Sequence, residues 1–419
     1  MSASSSATTA RRARRHNERS ILAELRRAGA ASKPDIARRI ALTPQAVNGI
    51  FDKLLDAGLI REGGRRVGEV GHPSTLYAIS PTGAYAVGID LGPRRVEIAL
   101  VDFAGRLVYR ALSDCPRPDR TIVRKALAEG LGKVWHHAGL AGIDTGRIVG
   151  IGMTEPPGGT GMLAADAAAI AALVPAPEGL PVHVERAAVV GALSMSLLAE
   201  TPLPRAFAYL AIGETVDSCL VLEGALFRGS HGRAGQFGAL PVPRPPGAAP
   251  AAMRGRKGRA AQVPAAQELV ALREVASFAA LRGRLAMAGF QAGGTEDFYR
   301  AVHACPGIVA QWNREAGDAV FLGLQAAQAC LDLEGVFLCI DPPNAIGDRI
   351  AERLRAGFAS FSASGLDAPL VRRVHPPTAS LATGAAALAL HEHFVPRLDR
   401  LTAPPEAVQA GREPMAGAA

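Results

Sequence analysis

Between residues 17 and 79 helical periodicity starts and stops three times and then gives way to a basic two-stranded pattern, an order few folds accommodate. Ile21, Leu22 and Leu25 recur at helical spacing from about Asn17 to Ala28, and Gly29 stops that helix because glycine takes a left-handed terminal conformation without strain. Ser32 then supplies a capping hydroxyl, and Pro34 falls in the first turn, where its missing N–H loses no partner. Ile36, Ala37 and Ile40 make a short apolar face. After Ala41-Leu42 the start signal repeats as Thr43-Pro44. The third helix, about Pro44 to Ala57, buries Val47, Ile50, Leu54 and Leu55 and turns Gln45, Asn48 and Lys53 outward. Gly58-Leu59-Ile60 leads into a hairpin, Arg61 to Ile79, with Arg65 and Arg66 at its tip. Helix, helix, turn, helix and hairpin in this order is the pattern of a winged helix-turn-helix.

In that motif the start of the second helix of the pair enters the major groove, where Gln and Asn side chains can each pair with an adenine edge. The candidate DNA-contacting residues are Ser32, Lys33, Thr43, Pro44, Gln45, Asn48, Lys53, Arg65 and Arg66. Charge supports this independently. Residues 1–80 hold 14 Arg and Lys against 7 Asp and Glu, so 14 − 7 = +7 of the whole-chain +8 lies in the first fifth of the sequence. A basic module on a nearly neutral body is the electrostatic footprint of phosphate binding. A helical protein-interaction module is the competing reading of the same segment.

The 419 residues suggest two or three domains, and 48% hydrophobic with 20% charged residues fits a globular protein. No apolar run reaches about 18 residues, so no membrane span is expected. The N-terminal arginines have no apolar stretch behind them, so no secretory signal is expected either. Cys115, Cys219, Cys305, Cys330 and Cys339 are dispersed without a C-x-x-C pair, which predicts a reduced, cytoplasmic protein with mostly core cysteines.

From Gly83 the period changes. Ala86 to Asp90, Val96 to Phe103 and Leu107 to Leu112 read as three strands, with Asp102 to Gly105 turning between the last two. A helix over Thr121 to Ala138 and a strand over Arg147 to Met153 follow. A second triplet reads as Ala206 to Ile212, Ser218 to Leu222 and Ala225 to Arg228, followed by a helix over Ala316 to Leu333 and a strand over Gly335 to Ile340. Strand triplets alternating with helices, twice over, predict a duplicated α/β domain with a cleft between its halves.

The whole of residues 17–395 resembles the ROK group of repressors and sugar kinases. The landmarks are Asn17, Leu42-Thr43 through Leu55, Ala57 to Ile60, Gly71-His72-Pro73, Gly88-Ile89-Asp90-Leu91-Gly92, Gly229 to Pro241 and Gly384 to Leu390. The resemblance implies an α/β chain: a winged helix-turn-helix (17–80) ahead of a duplicated actin-like, sugar-kinase (RNase H-like) domain over 83–395. Its lobes would be 83–200 and 201–395, between a disordered basic tail (1–16) and a flexible tail (396–419).

Departures from the group's kinases shape the functional expectation. The first phosphate hairpin would pass through Pro93, Arg94 and Arg95, and proline offers no N–H to phosphate. The second is Gly213-Glu214-Thr215-Val216-Asp217-Ser218, with two carboxylates that would repel a nucleotide. The kinases' Asn-Asp pair, which supplies the catalytic base, corresponds to Arg186-Ala187, so no carboxylate stands ready to take a hydroxyl proton. The zinc-ligating His place is Ala239, and the group's cysteine loop corresponds to Ala252 to Arg259, which carries no thiol. The expectation is therefore no catalytic residue, no metal and no cofactor. Glu155, His183 and Gln236 are the candidate ligand-binding residues. The Pro-Gly turn would be Glu155 to Gly158, and the sugar loop is replaced by the Ala-rich run Ala164 to Ala172. Taken together the expectation is a cytoplasmic pseudokinase-type repressor of carbohydrate-related genes, a homodimer or tetramer on a double-stranded operator, with a small carbohydrate as candidate effector. A ligand-independent DNA-binding protein and an active sugar kinase are the alternatives.

Overall fold

The computed structural model describes residues 2–66, 74–91, 95–115, 119–155, 167–198, 203–245, 268–290, 295–340, 344–361, 365, 367–374 and 381–395. The N-terminal module comprises α1 (Ser2–Ala28), β1 (Ala31–Ser32), α2 (Lys33–Arg39), α3 (Pro44–Asp56), β2 (Ile60–Arg66) and β3 (Ser74–Ile79). Its sheet has the order β1-β3-β2. The expected tail 1–16 is instead continuous with α1. Residues 2–28 contain neither Gly nor Pro, and alanine and arginine favour helix, so nothing in the chain stops it before Gly29.

The body carries β4 (Tyr85–Leu91), β5 (Arg95–Asp102), β6 (Leu107–Asp114), α4 (Arg120–Leu140), β7 (Ile148–Thr154), α5 (Ala167–Ala171), β8 (Val182–Glu185) and α6 (Ala187–Leu198). Then come β9 (Phe207–Ile212), β10 (Val216–Leu222), β11 (Ala225–Phe227), β12 (Pro241–Pro243), β13 (Leu269–Ala271), α7 (Leu272–Ala276), α8 (Phe278–Met287), α9 (Thr295–Ala304), α10 (Pro306–Leu331), β14 (Gly335–Ile340), α11 (Asn344–Phe361), β15 (Leu370–Val374) and α12 (Leu381–Phe394). One five-stranded sheet has the order β6-β5-β4-β7-β8 and the other β11-β10-β9-β14-β15. In each, an antiparallel meander of three strands is joined by two parallel strands. The duplication expected from the strand triplets is thus a repeat of connectivity.

The division at 200/201 does not follow the packing. Helix α12, last in the chain, lies on the first sheet, whereas α6 packs on β9 and β10 of the second. The two helices cross at Gly384, where an added Cβ would lie 3.0 Å from Val190 and 3.2 Å from Ser194. The layers therefore run first sheet, α12, α6, second sheet. The outer face of the first sheet packs on α4, and that of the second on α7, α8, α10 and α11 around the buried Trp312. Helix α10 begins ten residues earlier than the apolar periodicity predicts, because Pro306 opens it from the N-terminal position. Among the described residues no helix is long and apolar enough to cross a membrane.

Candidate nucleic-acid interface and the interlobe cleft

Local chemistry sets the helix pair as the capping pattern requires. The Ser32 hydroxyl accepts the N–H of Asp35 at 3.3 Å and donates to the Asp35 carboxylate at 2.8 Å, so it starts α2. Thr43 starts α3 by accepting the Ala46 N–H at 3.3 Å, with Pro44 in the first turn. Between the helices Ala41 takes φ 53°, a left-handed turn residue. Val47, Ile50, Phe51 and Leu54 are buried under α3. Phe51, absent from the periodicity argument, is the largest of them and meets Tyr77 edge-on at 5.1 Å.

The opposite face of α3 is open. Gln45, Asn48, Gly49, Asp52 and Lys53 are all exposed, and a Cβ on Gly49 would touch nothing within 4 Å. Gln45, Asn48 and Gly49 lie one turn apart on one side, at the end of the helix that a groove would receive. Ser32 and Lys33 do not join them. Ser32 is buried and committed to its cap. Lys33 pairs with Asp52 at 3.3 Å and lies 5.6 Å from the rings of both Phe51 and Tyr77.

The arginines of the module divide in the same way. Arg27 and Arg39 both hold Glu24, at 2.6 and 2.7 Å, tying α1 to α2. Arg38 pairs with Asp35 at 2.5 Å. Lys53, Arg61 and Arg65 are exposed and have no ion pair among the described residues. Arg61 is a cation that hairpin-tip reasoning passes over; its exposed position in β2, just after the turn that ends α3, is the signal that finds it. Arg65 pairs with Thr75 and Arg66 with Ser74 across the hairpin. The tip beyond them, with Gly71-His72-Pro73, lies outside the described residues.

The module is built into the body. Its core is continuous with Ala86, Val101, Phe103, Ala386, Ala389 and Leu390. Gly83 passes so close to the α3 exit that a Cβ there would lie 2.6 Å from the Gly58 carbonyl oxygen. Arg26 donates to the Phe103 carbonyl at 2.8 Å and lies 5.0 Å from the Phe103 ring centroid. Burial lowers its pKa to about 10, partly opposed by Asp102, so it stays charged at neutral pH. Phe103 in turn packs on Phe394 at 4.4 Å, and Arg19 donates to the Val395 carbonyl at 3.4 Å.

In the cleft, Asp90 at the end of β4 accepts the Thr154 hydroxyl at 2.7 Å, and burial raises its pKa. Arg186 pairs with Asp217, and the other Asp217 oxygen accepts the Ala188 N–H at 3.0 Å. The N-terminus of α6, a natural seat for a phosphate, is therefore capped by the protein's own carboxylate. Glu155 follows β7, and its pKa is raised by burial first, then by Asp217 and Glu185 against the pull of Arg186. Gln236 opens a short 3-10 turn held to β10 by the Phe237 N–H donating to the Ser218 hydroxyl at 2.8 Å. Glu155 and Gln236 thus both flank Asp217. His183 lies two residues back from Glu185 along β8, in register with Gly152 beneath α12. Ala239 ends the 3-10 turn and offers no ligand atom. Among the described residues no three His, Cys, Asp or Glu side chains are placed to hold a metal. Pro93-Arg94, the Pro156 to Gly158 turn, the start of the Ala-rich run and the Ala252 to Arg259 loop lie outside the described residues.

Residues 14–61 match a winged helix-turn-helix DNA-binding family model. The chain is 25% identical over 217 residues to a xylose repressor of Caldicellulosiruptor bescii, covering 49% of this chain and 54% of that one. It is 27% identical over 247 residues to an uncharacterized protein of Sinorhizobium fredii, covering 55% and 62%. The chain thus spans little more than half the length of the curated relatives it matches. A ROK family transcriptional regulator, homologous to the E. coli MLC protein, superposes with TM-score 0.62 at 19% identity over 91% of this chain and 97% of that one. A ROK hexokinase from Thermus thermophilus gives TM-score 0.55 at 24% identity over 74% and 98%. The fold is shared with both a regulator and a kinase.

Proposed function

We propose that this chain, a winged helix-turn-helix set on a ROK-type two-lobed body, is a DNA-binding transcriptional repressor of sugar-related genes. The observation that carries the reading is the start of α3, where Gln45 and Asn48 project from a capped, core-anchored helix with the exposed cations Lys53, Arg61 and Arg65 beside it. Gln45 and Asn48 read base edges, Thr43 and Pro44 fix the helix start, and Lys53, Arg61, Arg65 and Arg66 hold phosphates. The repressor acts as a dimer on two half-sites, as helix-turn-helix modules commonly do. Selecting bound duplexes from a random pool with the purified protein tests this. A single enriched two-half-site motif is the expected result, and recovery of unenriched sequence would sink the reading.

Replacing Arg61 and Arg65 together by alanine should weaken binding to all duplexes alike. The slope of log K against log salt should fall by about 0.9 for each phosphate that the pair no longer neutralises. Fluorescence anisotropy across a salt series reads this, and an unchanged slope would place both arginines away from the backbone.

The body does not transfer phosphate in this reading. Arg186 stands where a base is needed, and Asp217 occupies the anion seat of α6. A coupled assay with ATP and a sugar panel is expected to show no turnover, and any turnover abolished by Asp90→Asn would reinstate the kinase. An effector, if a sugar, would contact Glu155 and Gln236. The relative named as a xylose repressor puts pentoses on a thermal-shift panel. The paired state of Arg186 and Asp217 and the missing ligand atom at Ala239 favour a second reading, in which repression needs no ligand. No shift with any sugar would select it.

A further inference from the structure

We infer that Arg228 is a latch between the two lobes, and that it passes the position of the second lobe to the DNA-binding module through the last turn of α12. The inference rests on the DNA-binding reading for its consequence, but its geometry is independent of DNA. Arg228 directly follows β11, the edge strand of the second sheet. Its guanidinium pairs with Glu185 at the end of β8, the edge strand of the first sheet, and reaches Glu392 on α12 at 3.7 Å. Glu185 and Glu392 have side chains only 17% and 10% exposed, so each depends on a partner.

The residues that follow Glu392 face the other way. Phe394 packs on Phe103, which carries Arg26 of α1, and the Val395 carbonyl takes a hydrogen bond from Arg19 of α1 at 3.4 Å. One helical turn therefore holds the second lobe with Glu392 and α1 with Phe394 and Val395. A rigid turn cannot move at one end without moving at the other. Charge makes the latch sensitive. Glu155, Glu185, Asp217 and Glu392 gather around the guanidinium groups of Arg186 and Arg228. Removing Arg228 would take one of those two cations from a cluster of four carboxylates, and like charges in a half-buried site push apart.

Hydrogen exchange on the full chain tests the latch without DNA. Arg228→Glu should speed exchange about tenfold in residues 17–28 and 381–395. Combining it with Glu185→Arg should restore slow exchange, because the swap keeps one guanidinium between two carboxylates, one of them Glu392. Arg228→Ala serves if the reversal fails to fold, as judged by circular dichroism. Unchanged exchange in 17–28 in a folded Arg228 variant would overturn the inference. In parallel, affinity for the selected duplex should fall about tenfold in the variant and recover in the swap, a size typical of coupling between sites. A wild-type protein that binds no duplex would defeat the repressor reading and leave the exchange result to decide the latch.

Discussion

Gly88→Val is expected to remove about 3 kcal/mol or more of stability, a large share of the 5–15 kcal/mol typical of a folded domain. A Cβ on Gly88 would overlap the Ala382 carbonyl oxygen and the Ala386 nitrogen, and one on Gly152 would overlap the Ala385 carbonyl. These are backbone atoms of α12, which cannot rotate aside as a side chain would. Relief would require α12 to lift off β4 and β7. Lifting it would also disturb the Gly384 crossing with α6 and the seam with the N-terminal module, because Ala386, Ala389 and Leu390 belong to that module's core. Valine at either position should therefore loosen the DNA-binding end as well as the first lobe. Gly132→Ala is the matched control. It lies on the exposed face of α4 with nothing within 4 Å of an added Cβ, and should stabilise by up to about 1 kcal/mol through helix propensity. Urea unfolding distinguishes them. A Gly88→Val stability within about 1 kcal/mol of wild type would mean that α12 does not seat as described.

The sequence shows most plainly those elements whose forces are local. Ser32, Thr43, Gly29 and Gly58 mark helix ends through their own hydroxyls or through glycine's left-handed freedom, and the structure uses them so: Gly29 has φ 72° and Gly58 has φ 69°. The two meanders are legible because alternation and the Asp102 to Gly105 turn act over a few residues; the Gly105 N–H donates to the Asp102 carbonyl at 2.9 Å. Helix α12 and the crossing with α6 are not legible in that way. Leu381 to Phe394 is apolar on nearly every side, since it is buried by a sheet, a helix and the N-terminal module together, so periodicity gives it no face. Phe51 shows no partner until Tyr77 arrives from the hairpin.

The cleft divides on the same line. Arg186 and Ala187 signal the missing base from the sequence alone, because a residue type is absent. What replaces it does not show there. Arg186 finds Asp217 across 31 positions, and Arg228 finds Glu185 across 43. Taken singly, Glu214 and Asp217 look like repulsive departures from a phosphate loop. In space Asp217 satisfies two donors and fills an anion site, so a residue that seems to spoil the loop closes it.

Gln45→Ala with Asn48→Ala should abolish most sequence discrimination while sparing affinity for unrelated DNA. Each side chain that pairs twice with an adenine edge contributes about 1–3 kcal/mol of discrimination, so removing both should cut the preference for the selected duplex by about 100-fold or more. Affinity for random duplex should stay within about twofold, because phosphate binding by Lys53, Arg61 and Arg65 is untouched. Stability should not change, since both residues are exposed and neither caps a helix. Thr43→Ala provides the contrast. It removes the α3 cap, should cost about 1 kcal/mol in urea unfolding, and should change affinity through helix position rather than base preference. Competition binding with single-base variants of the duplex reads the difference. A double variant that still ranks the competitors as wild type does would mean that another face of α3 enters the groove. The charge on that face argues against it. Asp52 lies one turn on from Asn48 and would repel phosphate if bare, but Lys33 neutralises it from α2 at 3.3 Å. A face whose nearby carboxylate carries its own counter-charge is suited to lie against a polyanion.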